Sequence, residues 1–220
     1  MFLDIVLIFD GTIRGKLANR DNRVGQRAGW VLAGGRSSRM GTDKALLEID
    51  GRPLLLRVAD RLSQVCGSVA IIGNPDRYAN SGLRVVPDSF PGLGPLAGIE
   101  AALAATSAEA NLIAACDMPS LDAGNLQALF EAGGDCAIPQ HADGKIEPLC
   151  AVYHRRCHAR VRELLESGIR GVTEALRLLE TDGFALRYVQ VTARETFANL
   201  NTPEDLARFH AEHNPEHRRG

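Results

Sequence analysis

A short apolar stretch, WVL at positions 30–32, runs directly into AGGRSSRMGTDK at 33–44. Glycines such as Gly34 and Gly35 lack a Cβ, so main-chain N–H groups there can approach an anion closely. Arg36, Arg39 and Lys44 supply the positive charge that a bound triphosphate requires. The string is not a P-loop. Five residues separate Gly35 from Gly41, and Thr42 stands where that motif has its lysine.

Other polar residues follow apolar runs in the same manner. Asp117 comes directly after NLIAAC at 111–116 and before Met118-Pro119. A carboxylate at a strand's carboxyl end can hold a hard cation bridging phosphate oxygens; it can equally begin the turn into the next helix. Asn74 follows VAIIG at 69–73, where contact with a ligand and turn initiation ahead of Pro75 are both open. Asp88 opens the loop PDSFPGLGPLAG at 87–98. Asn199 and Asn201 precede Thr202-Pro203, and can bind a ligand or serve the turn into a last helix capped by Thr202.

The string LAGGRSSRMGTDK resembles the signature of the molybdenum cofactor guanylyltransferases, LAGG-x-S-x-RMG-x-DK, and the resemblance extends from about Gly29 to Phe209. It implies an α/β, Rossmann-like, three-layer nucleotidyltransferase fold with a mostly parallel central sheet. It also implies Mg²⁺-dependent transfer of GMP from GTP to the phosphate of molybdopterin. On the same basis, Leu32, Ala33, Gly34, Gly35, Lys44, Asn74, Asp88 and Asp117 contact nucleotide. Asp117 is the metal ligand, and Asp117, Lys44 and Arg39 carry the chemistry. Asn199 and Asn201 are associated with the pterin, and Pro148 and Leu149 are further candidates. Transient contacts with other molybdenum cofactor proteins are expected. Relatives using cytidine triphosphate or sugar phosphates usually read LAAG, with alanine in place of Gly34. Cytidylyl transfer to molybdopterin, or nucleotidyl transfer to a sugar or other small phosphate, is the alternative.

These groups need elements to hold them. Apolar runs at 30–32, 69–72, 83–86, 111–115, 136–139 and 186–191 read as strands. Helix-period segments lie at 53–65, 96–105, 121–131, 155–167 and 171–179, with Pro53 suited to a first helical position. Strands alternating with helices predict a mostly parallel sheet covered on both faces. Ligands of such sheets sit beyond the carboxyl ends of the strands, where the glycine loop must lie. Residues 1–27 read as an N-terminal extension, 28–213 as one nucleotidyltransferase domain and 214–220 as a polar tail.

The remaining features narrow the function classes. A net charge of −2 gives no global basic field for nucleic acid, so an anionic ligand needs a local site. No apolar run is long enough to span a bilayer. The apolar start is interrupted by Asp4 and lacks a basic region before it, so it does not read as a signal peptide. Five scattered cysteines without a CxxC pair read as reduced thiols of a cytoplasmic protein. Asp10-Gly11-Thr12 lacks the aspartate two positions earlier that a phosphatase motif needs. Gly92-Leu93-Gly94 fits the letters of a dinucleotide fingerprint, but residues 88–91 separate it from its strand. His154, Cys157 and His158 share one helical turn with no fourth zinc ligand evident nearby, and read as a polar helix surface.

Overall fold

The computed structural model describes residues 26–34, 43–191, 194–202, 204–205 and 207–209. The Asp10-Gly11-Thr12 string, Gly35, Arg36, Arg39, and the tail at 214–220 lie outside them. Strand β1 (Arg27–Ala33) carries the apolar residues of WVLA into the interior of a seven-stranded sheet. It begins at Arg27, whose guanidinium bonds Gln127 Oε1 at 2.8 Å and lies over the Phe130 ring, so Arg27 belongs to the domain and not to the extension.

A two-residue strand β2 (Glu48–Ile49) pairs with β3 (Arg52–Pro53) across Asp50 and Gly51, both at positive φ. This hairpin went unread in the periodicity, although Asp-Gly is a strong hairpin-turn pair. Pro53 is drawn into it and caps helix α1 (Leu54–Ser63) with ψ 140°, one residue before the first helical position expected for it. Then follow β4 (Ser68–Gly73), β5 (Arg84–Val86), α2 (Pro95–Ala105), β6 (Ala110–Ala115) and α3 (Ala123–Ala132). The last part comprises β7 (Cys136–Gln140), β8 (Cys150–His154), α4 (His158–Glu166), α5 (Val172–Thr181) and β9 (Leu186–Gln190).

The sheet order is β5-β4-β1-β6-β8-β7-β9. Every pairing is parallel except those of β8, which runs against both β6 and β7. One face packs α2, α4 and α5 around Trp30, Leu32, Ile113 and Ile138. The other packs α1 and α3 around Val31, Ile71, Leu112 and Ala137. The alternation of inward residues along β1 therefore feeds two cores, which makes three layers. The chain moves outward from β1 through β4 to β5, then returns to place β6 on the other side of β1. That reversal puts a crevice at the carboxyl ends of β1 and β6, where open α/β sheets bind ligands. Among the described residues, no helix is long and apolar enough to cross a membrane. All five cysteines are free; Cys136 and Cys157 bring their sulfurs within 3.9 Å.

Candidate active site

The crevice is framed by two strand ends in register. Leu32 pairs with Ala115, and the Cys116 N–H donates to the Leu32 carbonyl at 3.2 Å, extending the ladder one residue beyond β6. Gly34 leaves β1 here, exposed to solvent, while Leu32 and Ala33 stay buried in the strand. A Cβ built on Gly34 would meet no atom of the described residues within 4 Å, and its φ lies outside the left-handed region. Neither packing nor backbone geometry in the described structure requires glycine at this position.

Asp117 follows Cys116, and Lys44 faces it across the crevice. Lys44 Nζ donates to Asp117 Oδ2 at 3.1 Å and to Asn201 Oδ1 at 2.7 Å. Three residues distant in sequence thus meet at one ammonium. The Lys44 and Asp117 side chains are 14% and 18% exposed, open enough for a ligand to reach both. The segment bearing Asn201 is tied down in turn: the Leu200 N–H donates to the Asp117 carbonyl at 2.9 Å. Asp205 accepts from the N–H groups of Asn201 and Thr202, and its own N–H donates to Thr202 Oγ1, which fits the expected cap. Those bonds hold the Asp205 carboxyl below the usual carboxylate range.

Lys44 is positioned by its neighbour Asp43. The Asp43 carboxylate caps the short helical turn Lys44–Leu46 by accepting from the Ala45 N–H. Its other oxygen accepts from Arg77 at 3.0 Å and from the Tyr78 hydroxyl at 2.9 Å. Burial and the Asp43 charge push the Tyr78 hydroxyl well above its ordinary range, so it stays a donor. Gly73 makes room for this brace: a Cβ there would come within 2.4 Å of the Ala33 carbonyl and 2.6 Å of the Tyr78 ring. Asp43, Arg77 and Tyr78 went unread as site residues, because their signal is a contact across 34 and 35 positions.

Asn74 lies in the same loop, and its side-chain oxygen accepts from the N–H groups of Asp76 and Arg77. That is local turn chemistry, and it shapes the loop that carries Arg77 and Tyr78. Asp88 is half-buried after β5, and its Oδ1 accepts from the Phe90 N–H at 2.8 Å. Burial pushes its carboxyl up, with the Glu100 charge acting in the same direction and the Phe90 bond opposing. Asn199 is exposed, two residues from Asn201. The Leu149 carbonyl accepts from the Ala115 N–H at 2.8 Å, and the Pro148 carbonyl from the Tyr153 hydroxyl at 2.7 Å. The structure gives both main-chain oxygens bracing work beside the crevice. His154 and His158 are engaged elsewhere, with the Arg156 N–H and the Glu100 carboxylate respectively.

Among the described residues no group of three or more His, Cys, Asp or Glu side chains is placed to hold a metal. Mg²⁺ does not require one, since it commonly binds through one or two carboxylates together with substrate phosphates and waters. The hard oxygens of Asp117, accessible at a strand's carboxyl end and already facing a cation, fit that mode.

Comparison with known proteins identifies the family. The MobA-like NTP transferase domain matches residues 29–181. A protein of Pelotomaculum thermopropionicum named "Probable molybdenum cofactor guanylyltransferase" is 38% identical over 188 residues, covering 83% of this chain and 91% of its own. The "Molybdenum cofactor guanylyltransferase" of Cereibacter sphaeroides is 38% identical over 191 residues, with coverages of 82% and 93%. Among solved structures, the molybdopterin-guanine dinucleotide biosynthesis protein A of Archaeoglobus fulgidus superposes with a TM-score of 0.68 at 27% identity, covering 82% of this chain and 95% of that one. A match across most of the domain, joined to the glycine loop and the crevice at β1 and β6, means that the chain belongs to the MobA-like NTP transferase family.

Proposed function

We propose that this chain transfers GMP from GTP to the phosphate of molybdopterin and releases pyrophosphate. The observation that carries the proposal is the meeting of Lys44 with Asp117 and Asn201 at the crevice between β1 and β6. A phosphate oxygen of molybdopterin, ionised at neutral pH, attacks the α-phosphorus of GTP in line. The new P–O bond forms as the bond to the β-phosphate oxygen breaks, and the electron pair leaves with pyrophosphate. No strong base is needed, so the protein's work is positioning and charge neutralisation. Lys44 turns from Asp117 and Asn201 toward the leaving phosphates, joined by Arg39 and the main-chain N–H groups of the glycine loop. Asn201, released by Lys44, is free to orient the acceptor with Asn199. Asp117, together with substrate phosphates, would hold Mg²⁺, which would supply charge neutralisation at the α-phosphate. Free thiols, with the Cys66 and Cys116 thiols pushed up to about 12 by burial, suit a reducing cytoplasm. The direct test is pyrophosphate release with GTP, CTP or UTP in the presence of Mg²⁺ and molybdopterin; release that is no faster with GTP than with CTP sinks the guanine assignment.

Guanine preference is tied here to Gly34. Because the described structure leaves space for a Cβ at that position, the reason for glycine is sought in the ligand. Gly34→Ala should keep its melting temperature while losing about tenfold in GTP affinity, the scale of one misplaced methyl group in a pocket. Calorimetry with GTP and CTP on both proteins checks this. Unchanged GTP affinity in Gly34→Ala would remove that residue from the explanation.

The extension is a separate matter. Since β1 begins at Arg27, a variant starting there should retain its melting temperature and its affinity for GTP. Loss of soluble expression would place residues 1–26 in the folding unit.

A further inference from the structure

A buried charge beneath the Asp88 loop does work that folding alone does not require. Glu100 lies in the middle of α2 at 0% exposure, between Ile99 and Ala101 of an otherwise apolar helix. Burying a carboxylate in such surroundings is costly, and an apolar side chain of similar volume commonly serves stability as well or better. Two basic side chains of α4, one turn apart, reach it: His158 Nε2 at 3.0 Å and an Arg162 guanidinium nitrogen at 3.5 Å, both from Glu100 Oε1. Glu166 holds the other side of the Arg162 guanidinium at 3.1 Å. Thus oriented, the guanidinium lies over the Phe90 ring, 5.7 Å from its centroid. The Phe90 N–H in turn holds the Asp88 carboxylate at 2.8 Å.

We propose that Glu100 is a positioning residue for the nucleotide site, fixing Arg162 over Phe90 and thereby the loop that presents Asp88. The inference rests on the proposed function and on Asp88 being a nucleotide contact, as the family resemblance implies. The contacts form one path from Glu100 on α2 through Arg162 on α4 to residues 88–90, and the Glu100 charge adds to burial in pushing the Asp88 carboxyl up. Arg162 binds through its planar guanidinium to a carboxylate and an aromatic face at once, a combination suited to fixing an angle.

The test is steady-state kinetics of pyrophosphate release with Glu100→Gln, Glu100→Leu, Arg162→Met, Arg162→Lys and Asp88→Asn, alongside melting temperatures. Glu100→Gln and Arg162→Met should raise KM for GTP about five- to tenfold with kcat changed less than about twofold, as expected when a binding loop is displaced without touching the reacting atoms. Glu100→Leu should show the same KM effect with an unchanged or higher melting temperature, separating position from stability. Arg162→Lys, which keeps the cation over Phe90, should recover part of the affinity. Arg162 is 51% exposed, so its variants should fold even if a Glu100 variant does not. Asp88→Asn must itself raise KM, and combining it with Arg162→Met should add little. Native KM in the Glu100 and Arg162 variants, beside a raised KM in Asp88→Asn, overturns the positioning role. Native KM in Asp88→Asn overturns the reading of Asp88 on which it rests.

Discussion

Asp117→Asn is expected to lower pyrophosphate release by about 10²-fold or more, the loss typical of one strong electrostatic contact made in a transition state. Asparagine keeps the volume and one acceptor oxygen but removes the anion proposed to hold Mg²⁺. The fold should hardly notice. The Asp117 main-chain carbonyl that receives the Leu200 N–H is untouched, and the side chain's ion pair with Lys44 is partly open to water. Raising the Mg²⁺ concentration should restore part of the activity, as expected of a residue proposed to act by holding the metal. Asp122→Asn is the matched control. Asp122 caps α3 by accepting from the Asn125 N–H at 3.0 Å, so its loss should cost about 1 kcal/mol or less of stability and leave turnover unchanged. Near-native release by Asp117→Asn at ordinary Mg²⁺ would make Asp117 a turn residue and move the metal to another carboxylate, Asp88 first.

Lys44→Met should be comparably damaging, again by about 10²-fold in turnover, for a different reason. The ammonium is the described cation nearest both Asp117 and Asn201, and in the proposed reaction it moves to the departing phosphates. Methionine retains most of the stem's bulk and none of its charge. Lys44→Arg should recover little, since a planar fork cannot reproduce a compact ammonium bonded to two differently placed oxygens. Lys44→Met also leaves the Asp117 carboxylate without its partner, so the melting temperature should fall slightly. The double variant with Asp117→Asn should regain that stability while remaining inactive. Asn201→Ala, which removes only one acceptor, should cost less than either charge substitution. Native turnover in Lys44→Met would exclude Lys44 from the chemistry.

Much of this arrangement could be read from local pattern, and the parts that could not share a cause. The apolar runs at 69–72 and 111–115 are buried on both faces, so their strands stand out from sequence alone. Helices α1, α4 and α5 carry clear periods, whereas α2 shows as a nearly continuous apolar run. Asp122 and Thr202 announce caps. The reversed direction of β8 is not written in its residues: CAVYH is equally compatible with either orientation, and only its pairing with β6 and β7 settles it. The hairpin of β2 and β3 is too short to show a period. At the site, the glycine loop is contiguous and therefore conspicuous, whereas Lys44, Asp117 and Asn201 converge from three distant stretches. Their meeting follows from the strand order, not from spacing along the chain. Asp43 stands inside the signature string, but its contacts with Arg77 and Tyr78 do not show there. Tyr78 and Glu100 are harder still: one tyrosine in a loop and one acid in an apolar helix carry no pattern that period or motif can detect.

The position of β1 has a consequence for how the protein is made. This strand is the first of the sheet among the described residues and an interior one in space, third of seven, with β4 on one side and β6 on the other. Its second edge is satisfied only by residues 110–115, a closure of high contact order that slows folding. A ribosome delivers the chain from the amino end, so WVLA emerges long before the strand that will cover its flank. Until Ala115 has left the exit tunnel, this interior strand keeps a bare apolar edge, the kind of template on which chains aggregate. Nascent chains paused before Ala110 should therefore be the species that chaperones hold, and they should precipitate where chaperones are scarce.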